Sequence, residues 1–169
     1  LGLKYTYQFS ENGVGLFAGA DFNYNGLTKD VKRDTEDAFE DLGILGADYK
    51  FFSYINIPIS AGLNYKYNAN DNVALFVNGG IAINMLKVTD FEIELGGDKV
   101  SAEYDLATSA GFRAGAGVLF SEKISVAFDY YGLGNHDING RARGTGVPSE
   151  DIDAELAVNI LTIRVGYTF

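Results

Sequence analysis

Side chains that alternate with a period of two in seven segments, connections that are alternately short and long, and a polar face built of small residues predict an all-β fold. More narrowly, they predict an antiparallel up-and-down transmembrane β-barrel of eight strands, seven of them visible, in one domain spanning 1–169. Composition agrees: the 169 residues are 47% hydrophobic and 14% aromatic, and 21 glycines with two prolines suit strands and turns rather than helices. Cysteine is absent, which excludes disulfides and thiolate chemistry. A single histidine, His136, leaves little for a metal cluster or histidine-based catalysis. The net charge of −10 argues against a nucleic-acid partner, which would select a basic face. No run of 18 apolar residues occurs, so a membrane could be crossed only by strands.

The strands read in order. Leu1, Leu3, Tyr5, Tyr7 and Phe9 oppose Gly2, Lys4, Thr6 and Gln8. Val14, Leu16, Ala18, Ala20 and Phe22 oppose Gly15, Gly19, Asp21 and Asn23. Ile55 to Tyr65 alternates with Asn56, Pro58, Ser60, Gly62, Asn64 and Lys66. Val73, Leu75, Val77, Ile81, Ile83 and Met85 oppose Asn78, Gly80 and Asn84. Phe112, Ala114, Ala116, Val118 and Phe120 oppose Gly111, Arg113, Gly115 and Gly117. Ile124, Val126, Phe128 and Tyr130 oppose Ser125, Ala127, Asp129 and Tyr131; Leu161, Ile163, Val165, Tyr167 and Phe169 oppose Thr162, Arg164, Gly166 and Thr168.

Alternation does not say which face is inside; the composition of the polar face does. A soluble exterior needs many Lys, Glu and Thr side chains. Here that face is mostly Gly, Ser, Asn and Ala, which suits side chains crowding into one narrow lumen. The apolar face would then meet lipid, with Tyr5, Tyr7, Phe9, Tyr65, Tyr67, Phe120 and Tyr167 as an interfacial aromatic girdle.

Short connections at 10–13, 68–71 and 121–123 separate long ones at 26–50, 88–103 and 135–154. The long segments hold seven acids and four bases, five and one, and, with Glu155 included, five and two. They therefore carry the whole net charge, and strands and turns balance, as a low-dielectric phase requires. Thr35 as a cap, acids in the first turn and Gly43 beyond Leu42 predict a short helix from Thr35, with Ala38, Phe39 and Leu42 on one face.

The C-terminal Thr162-Ile-Arg-Val-Gly-Tyr-Thr-Phe169 is similar to the signal read by the outer-membrane assembly machinery, carried here by Val165, Gly166, Tyr167 and Phe169. With the hairpin pattern, the chain resembles the small eight-stranded OmpA/OmpX-like outer-membrane β-barrels, and Tyr54-Ile-Asn-Ile-Pro-Ile-Ser60 resembles a strand of the "porin family" barrels of Bacteroidota. The resemblance implies a bacterial outer-membrane location, periplasmic termini, extracellular long loops, and contact with lipid, lipopolysaccharide and the assembly machinery. It implies no cofactor and no enzyme activity. Since such barrels have an even number of strands, an ascending strand is expected ahead of Leu1, or a strand from another chain in its place. The function expected is that of a structural or interaction barrel with a filled lumen, meeting a protein partner through loops 26–50, 88–103 and 135–154. A narrow channel for a small solute or ion is the alternative.

Lumen-facing charges are Lys4, Asp21, Asp105, Arg113, Asp129 and Arg164. Antiparallel pairing sets Arg113 opposite or diagonal to Asp129, lets Asp129 reach Arg164, and puts Lys4 diagonal to Asp21. Buried charges must be paired, so the cluster reads as a salt-bridge plug, or else as a polar gate. His136 has no serine two residues away and no second histidine, and reads as a solvated loop residue. The acidic strings from Asp90 to Glu94 and Glu150 to Asp153 lack EF-hand spacing and fit hairpin tips as well as a divalent cation. Gly111, Gly115 and Gly117 alternate on a strand with no helix after them, so they do not form a phosphate loop.

Overall fold

The computed structural model describes residues 1–9 and 13–168. Ser10–Asn12 of the first short connection, and Phe169 of the expected assembly signal, lie outside the described residues. The chain forms β1 (Gly2–Gln8), β2 (Val14–Asp21), β3 (Asn23–Gly26), α1 (Lys29–Asp41), β4 (Asp48–Lys50), β5 (Ser53–Asn70) and β6 (Val73–Val88). It continues with β7 (Phe91–Leu95), β8 (Asp98–Tyr104), β9 (Leu106–Phe120), β10 (Ile124–Gly144) and β11 (Val147–Tyr167). The eleven strands belong to one antiparallel sheet whose long strands run β1-β2-β5-β6-β9-β10-β11, each beside its neighbour in sequence order apart from the short inserted strands.

The seven segments of the sequence reading overlap these seven long strands, but the sheet has eleven. Two causes account for the difference. The second long strand breaks at Phe22, so that β3 continues its pairing with β5 separately. And the long connections are themselves sheet. Phe91-Glu-Ile-Glu-Leu95 alternates with period two, and Gly96 and Gly97 take left-handed φ values of 60° and 95°, which closes the β7–β8 hairpin. β4 pairs with β7, and β8 pairs with the far end of β10. The segment 135–154 is not a loop: β10 and β11 stay paired up to Gly144 and Val147, and Gly146 turns at φ 74°.

The helix also starts earlier than expected. Thr28, not Thr35, is the cap, its Oγ1 accepting from the Val31 amide at 3.4 Å. Thr35 lies inside the helix, where its hydroxyl donates back to the Val31 carbonyl at 2.7 Å. The end is as read: Leu42 is the C-cap, and Gly43 follows at φ 86°.

The sheet curls so strongly that Asp21 of β2, the second long strand, and Arg164 of β11, the last, come within 3.3 Å. Glycine makes part of this curvature possible. Gly62 and Gly80 face each other across β5 and β6, and a Cβ on either would lie 2.2 Å or 2.1 Å from the carbonyl oxygen of Gly79 or Ala61. The curled sheet does not close. Among the described residues β1 pairs only with β2, and β11 only with β10.

The two faces are unlike. The convex face exposes Leu3, Leu16, Ile59, Leu63, Leu75, Val77, Ile83, Phe112, Phe128 and Ile163, with Ile81, Val165 and Leu161 at 71%, 73% and 74% accessibility. The concave face buries Asp21, Asn56, Ser60, Asn64, Asn78, Asn84, Arg113, Asp129 and His136. Toward the long-connection end the interior turns apolar: Leu86, Val88, Ala107 and Ile138 pack with Phe52, Tyr54, Tyr104, Leu156 and Val158. Ala82, Tyr131 and Leu133 form a second layer with Val158 and Ile160.

Candidate functional site

The chemistry of the molecule is concentrated on the concave face. Arg113 enters it from the middle of β9, beside Gly80 of β6 and Tyr131 of β10. Its Nε and Nη2 both donate to Asp129 Oδ1, at 3.0 Å and 2.7 Å, and Nη1 donates to Ser60 Oγ at 3.1 Å. The guanidinium carbon stands 5.2 Å from the ring centroids of Phe17 and Tyr131, so the cation is held between two aromatic faces. Asp129 pairs in register with Gly115, two positions from Arg113, the diagonal placement.

Arg164 ties the far end of the sheet into this centre. Its Nη2 lies 3.0 Å from Asp129 Oδ2 and 3.3 Å from Asp21 Oδ2, and donates to the Tyr131 hydroxyl at 3.2 Å. The Tyr131 hydroxyl in turn donates to Asp21 Oδ2, and Arg113 Nη1 is 3.8 Å from the same oxygen. Two carboxylates, two guanidiniums and a phenol thus form one connected network, which is how charges persist away from water.

Of the six charges read as lumen-facing, Asp21, Arg113, Asp129 and Arg164 are brought together. Lys4 shares their face but pairs with no carboxylate among the described residues; its Nζ lies over the rings of Phe76, at 4.8 Å, and Phe17, at 5.5 Å. Asp105 is not part of the cluster. It is exposed at the β8–β9 junction, where its amide donates to the Asn139 carbonyl, because the strand begins only at Leu106.

His136 is likewise corrected. It is fully buried on β10, with Nε2 3.0 Å from Asn84 Nδ2, which also donates to Asn56 Oδ1 at 2.9 Å. A bulge is the cause. Register shifts between Gly132 and Asn135, and Gly134 takes φ 69°. Before the bulge the odd residues Asp129, Tyr131 and Leu133 face inward; after it the even residues His136 and Ile138 do. Among the described residues, His136 Nδ1 and Asn84 Oδ1 have no hydrogen-bond partner.

The girdle residues Tyr5, Tyr7, Phe9, Tyr65, Tyr67, Phe120 and Tyr167 are all exposed on the convex face. Register ties Tyr67 to Leu75, and Phe120 to Val73 and to Ile124, which in turn meets Tyr167, so these rings share the short-turn end of the sheet. Val165 points outward with them, and Gly166 stands opposite Ser125. Tyr131, Ser60, Phe17, Phe76, Asn84 and Asn56 complete the interior without having been singled out. Their parity was readable, but their reach across the lumen depends on curvature.

No family model, curated protein or solved structure matches this chain.

Proposed function

We propose that this chain is an outer-membrane β-barrel of the OmpA/OmpX-like kind, with a sealed lumen, acting as a structural or interaction protein through its acidic outer segments. The observation that carries the reading is the inverted burial. Large apolar side chains cover the exposed convex face, while Arg113 and Asp129 are 1% accessible on the concave one. Soluble monomers rarely expose a contiguous apolar surface beyond roughly a few hundred Å². A bilayer removes that cost and requires the backbone groups of every strand to be paired.

The slant of the apolar band supports the same reading. One register row runs through Val14, Tyr65, Val77, Ala116, Phe128 and Ile163. On β2 the apolar residues Val14 to Phe22 lie above this row; on β11 Leu161 to Tyr167 straddle it, with their centre just below. The band thus slides by about one residue per strand, which, at about 3.3 Å per residue and 4.8 Å between strands, corresponds to strands tilted by roughly 35° against a flat membrane. Closure fits too. The seven long strands alternate in direction, so β1 and β11 run the same way, and one further antiparallel strand pairs with both edges. In this reading the charge network and the apolar layers toward the long connections fill the lumen and favour an interaction barrel over a pore.

The test is conductance of the natural protein refolded into planar bilayers. The expected result is silence for the wild type and a leak for Arg113→Ala, whose missing guanidinium opens the polar layer. Steady pores in the wild type would favour the channel alternative. A protein that stays monodisperse in buffer without detergent would overturn the membrane reading.

A further inference from the structure

The concave face carries an unbalanced charge beside its open seam. At mid-height it holds Lys4, Arg113 and Arg164 against Asp21 and Asp129, one positive charge in excess. The two carboxylates are engaged by the two guanidiniums, and Lys4 is left with the faces of Phe76 and Phe17. The excess is not placed at random. Lys4 is on β1 and Arg164 on β11, the two strands that border the seam. Arg164 keeps 23% of its side chain accessible while Arg113, in the same network, keeps none. Lys4 is only partly buried as well.

The two cations stand at one height. Lys4 pairs with Gly19, and Arg164 with Ala127, whose row leads through Gly117 and Phe76 to Lys66. These rows are six residues apart over the six strand steps from β1 to β11, which the slide of about one residue per strand cancels. Whatever fills the seam at that height meets two cations, one from each side.

We infer that the strand filling this seam turns an aspartate or glutamate inward between Lys4 and Arg164, neutralising the lumen. The inference rests on the proposed closure by one antiparallel strand and adds the chemistry of that strand: apolar residues outward, and one acceptor carboxylate facing the two cations. The occupant is a segment of the same polypeptide. Every adjacent pair of long strands in this sheet is consecutive along the chain, with no other long strand between them, and a strand beside β1 from the same polypeptide keeps that order. An uncompensated lysine in such an interior would carry a heavy desolvation cost, and a carboxylate within about 4 Å offsets it.

Zero-length coupling tests this in the natural full-length protein, folded in outer-membrane vesicles. A water-soluble carbodiimide joins an amine to a carboxylate in contact with it, forming an amide with loss of water. After proteolysis, mass spectrometry should find Lys4 Nζ joined to an Asp or Glu of the same polypeptide outside residues 1–169. Lys4→Arg should assemble normally and lose that product. Lys4→Glu should slow assembly at least tenfold, read as the heat-modifiable folded band on gels. Coupling of Lys4 only to Asp21 or Asp129, or no coupling although a further strand is present, overturns the carboxylate and leaves closure standing. Coupling to a different polypeptide overturns the assigned source. A natural chain with no strand beyond these residues overturns both the inference and the closure on which it rests.

Discussion

Arg113 makes two hydrogen bonds to Asp129, one to Ser60, and lies between two aromatic rings, with no accessible side-chain surface. Removing it strands a carboxylate away from water rather than merely deleting a contact. Arg113→Met should therefore destabilise the folded protein by about 3–5 kcal/mol, the usual cost of breaking a buried pair. The double variant Arg113→Met/Asp129→Leu should recover a large part of that loss, because no lone charge remains. Urea unfolding in lipid vesicles, followed by tyrosine fluorescence, measures both. At this scale the sequence was a good guide to facing and a poor guide to reach. Alternation puts Arg113, Asp129 and Arg164 on one face, since parity in a strand is set by the backbone. It does not reveal that Asp21 meets Arg164 from 143 positions away, because that contact depends on how tightly the sheet curls. Nor does it reveal that Asp105, two residues before an inward Ala107, is left outside by the start of the strand.

Elements reset this parity where they bend. Gly134 occupies a left-handed φ, and a Cβ there would lie 2.9 Å from the Ala110 carbonyl oxygen. Gly134→Ala should cost about 1–2 kcal/mol from the backbone alone. If the bulge slips out, His136 turns to the convex face. A lower unfolding temperature in detergent, with faster modification of His136 by diethyl pyrocarbonate, is the expected result. His136 was misread because 135–154 was taken as a loop, whereas β10 continues to Gly144 and the bulge at Gly134 turns His136 inward. The outer segments were legible as alternation but not as sheet, since β4 pairs with β7, and β8 with the far end of β10, only once distant strands are in place. There Glu92 receives Lys50 at 3.0 Å and Lys99 at 2.9 Å. The hydrogen bond from Lys99, then that from Lys50, holds its carboxyl below the ordinary 4.5, and the same bond raises Lys99. A depressed carboxyl stabilises the fold fully above its unfolded value and ceases to do so as pH falls through its folded value. Amide exchange in the β7–β8 hairpin should therefore be flat from neutral pH down to about 5 and rise below about 4, after correction for intrinsic rates.

For the whole molecule, the concave and convex faces were legible because glycine and asparagine suit a crowded interior, and the leucines and isoleucines of the other face are the exposed ones. The expected closed barrel is not what these residues form: the sheet of the described residues curls but stays open between β1 and β11. One consequence concerns the part held least firmly. Helix α1 contains no buried residue; Leu42 beyond it is 77% exposed, and glycines at 43 and 46 follow with open space around them. Its anchorage includes the stack of Phe39 on Tyr49, with ring centroids 5.7 Å apart. Brief trypsin treatment of the folded protein should nick the chain at Lys29, Lys32 or Arg33 and leave the long strands uncut, giving two fragments that comigrate until boiled. An appendage that can be clipped without disturbing its support is also one that can be replaced, so this connection is where a foreign peptide could be inserted without loss of the sheet.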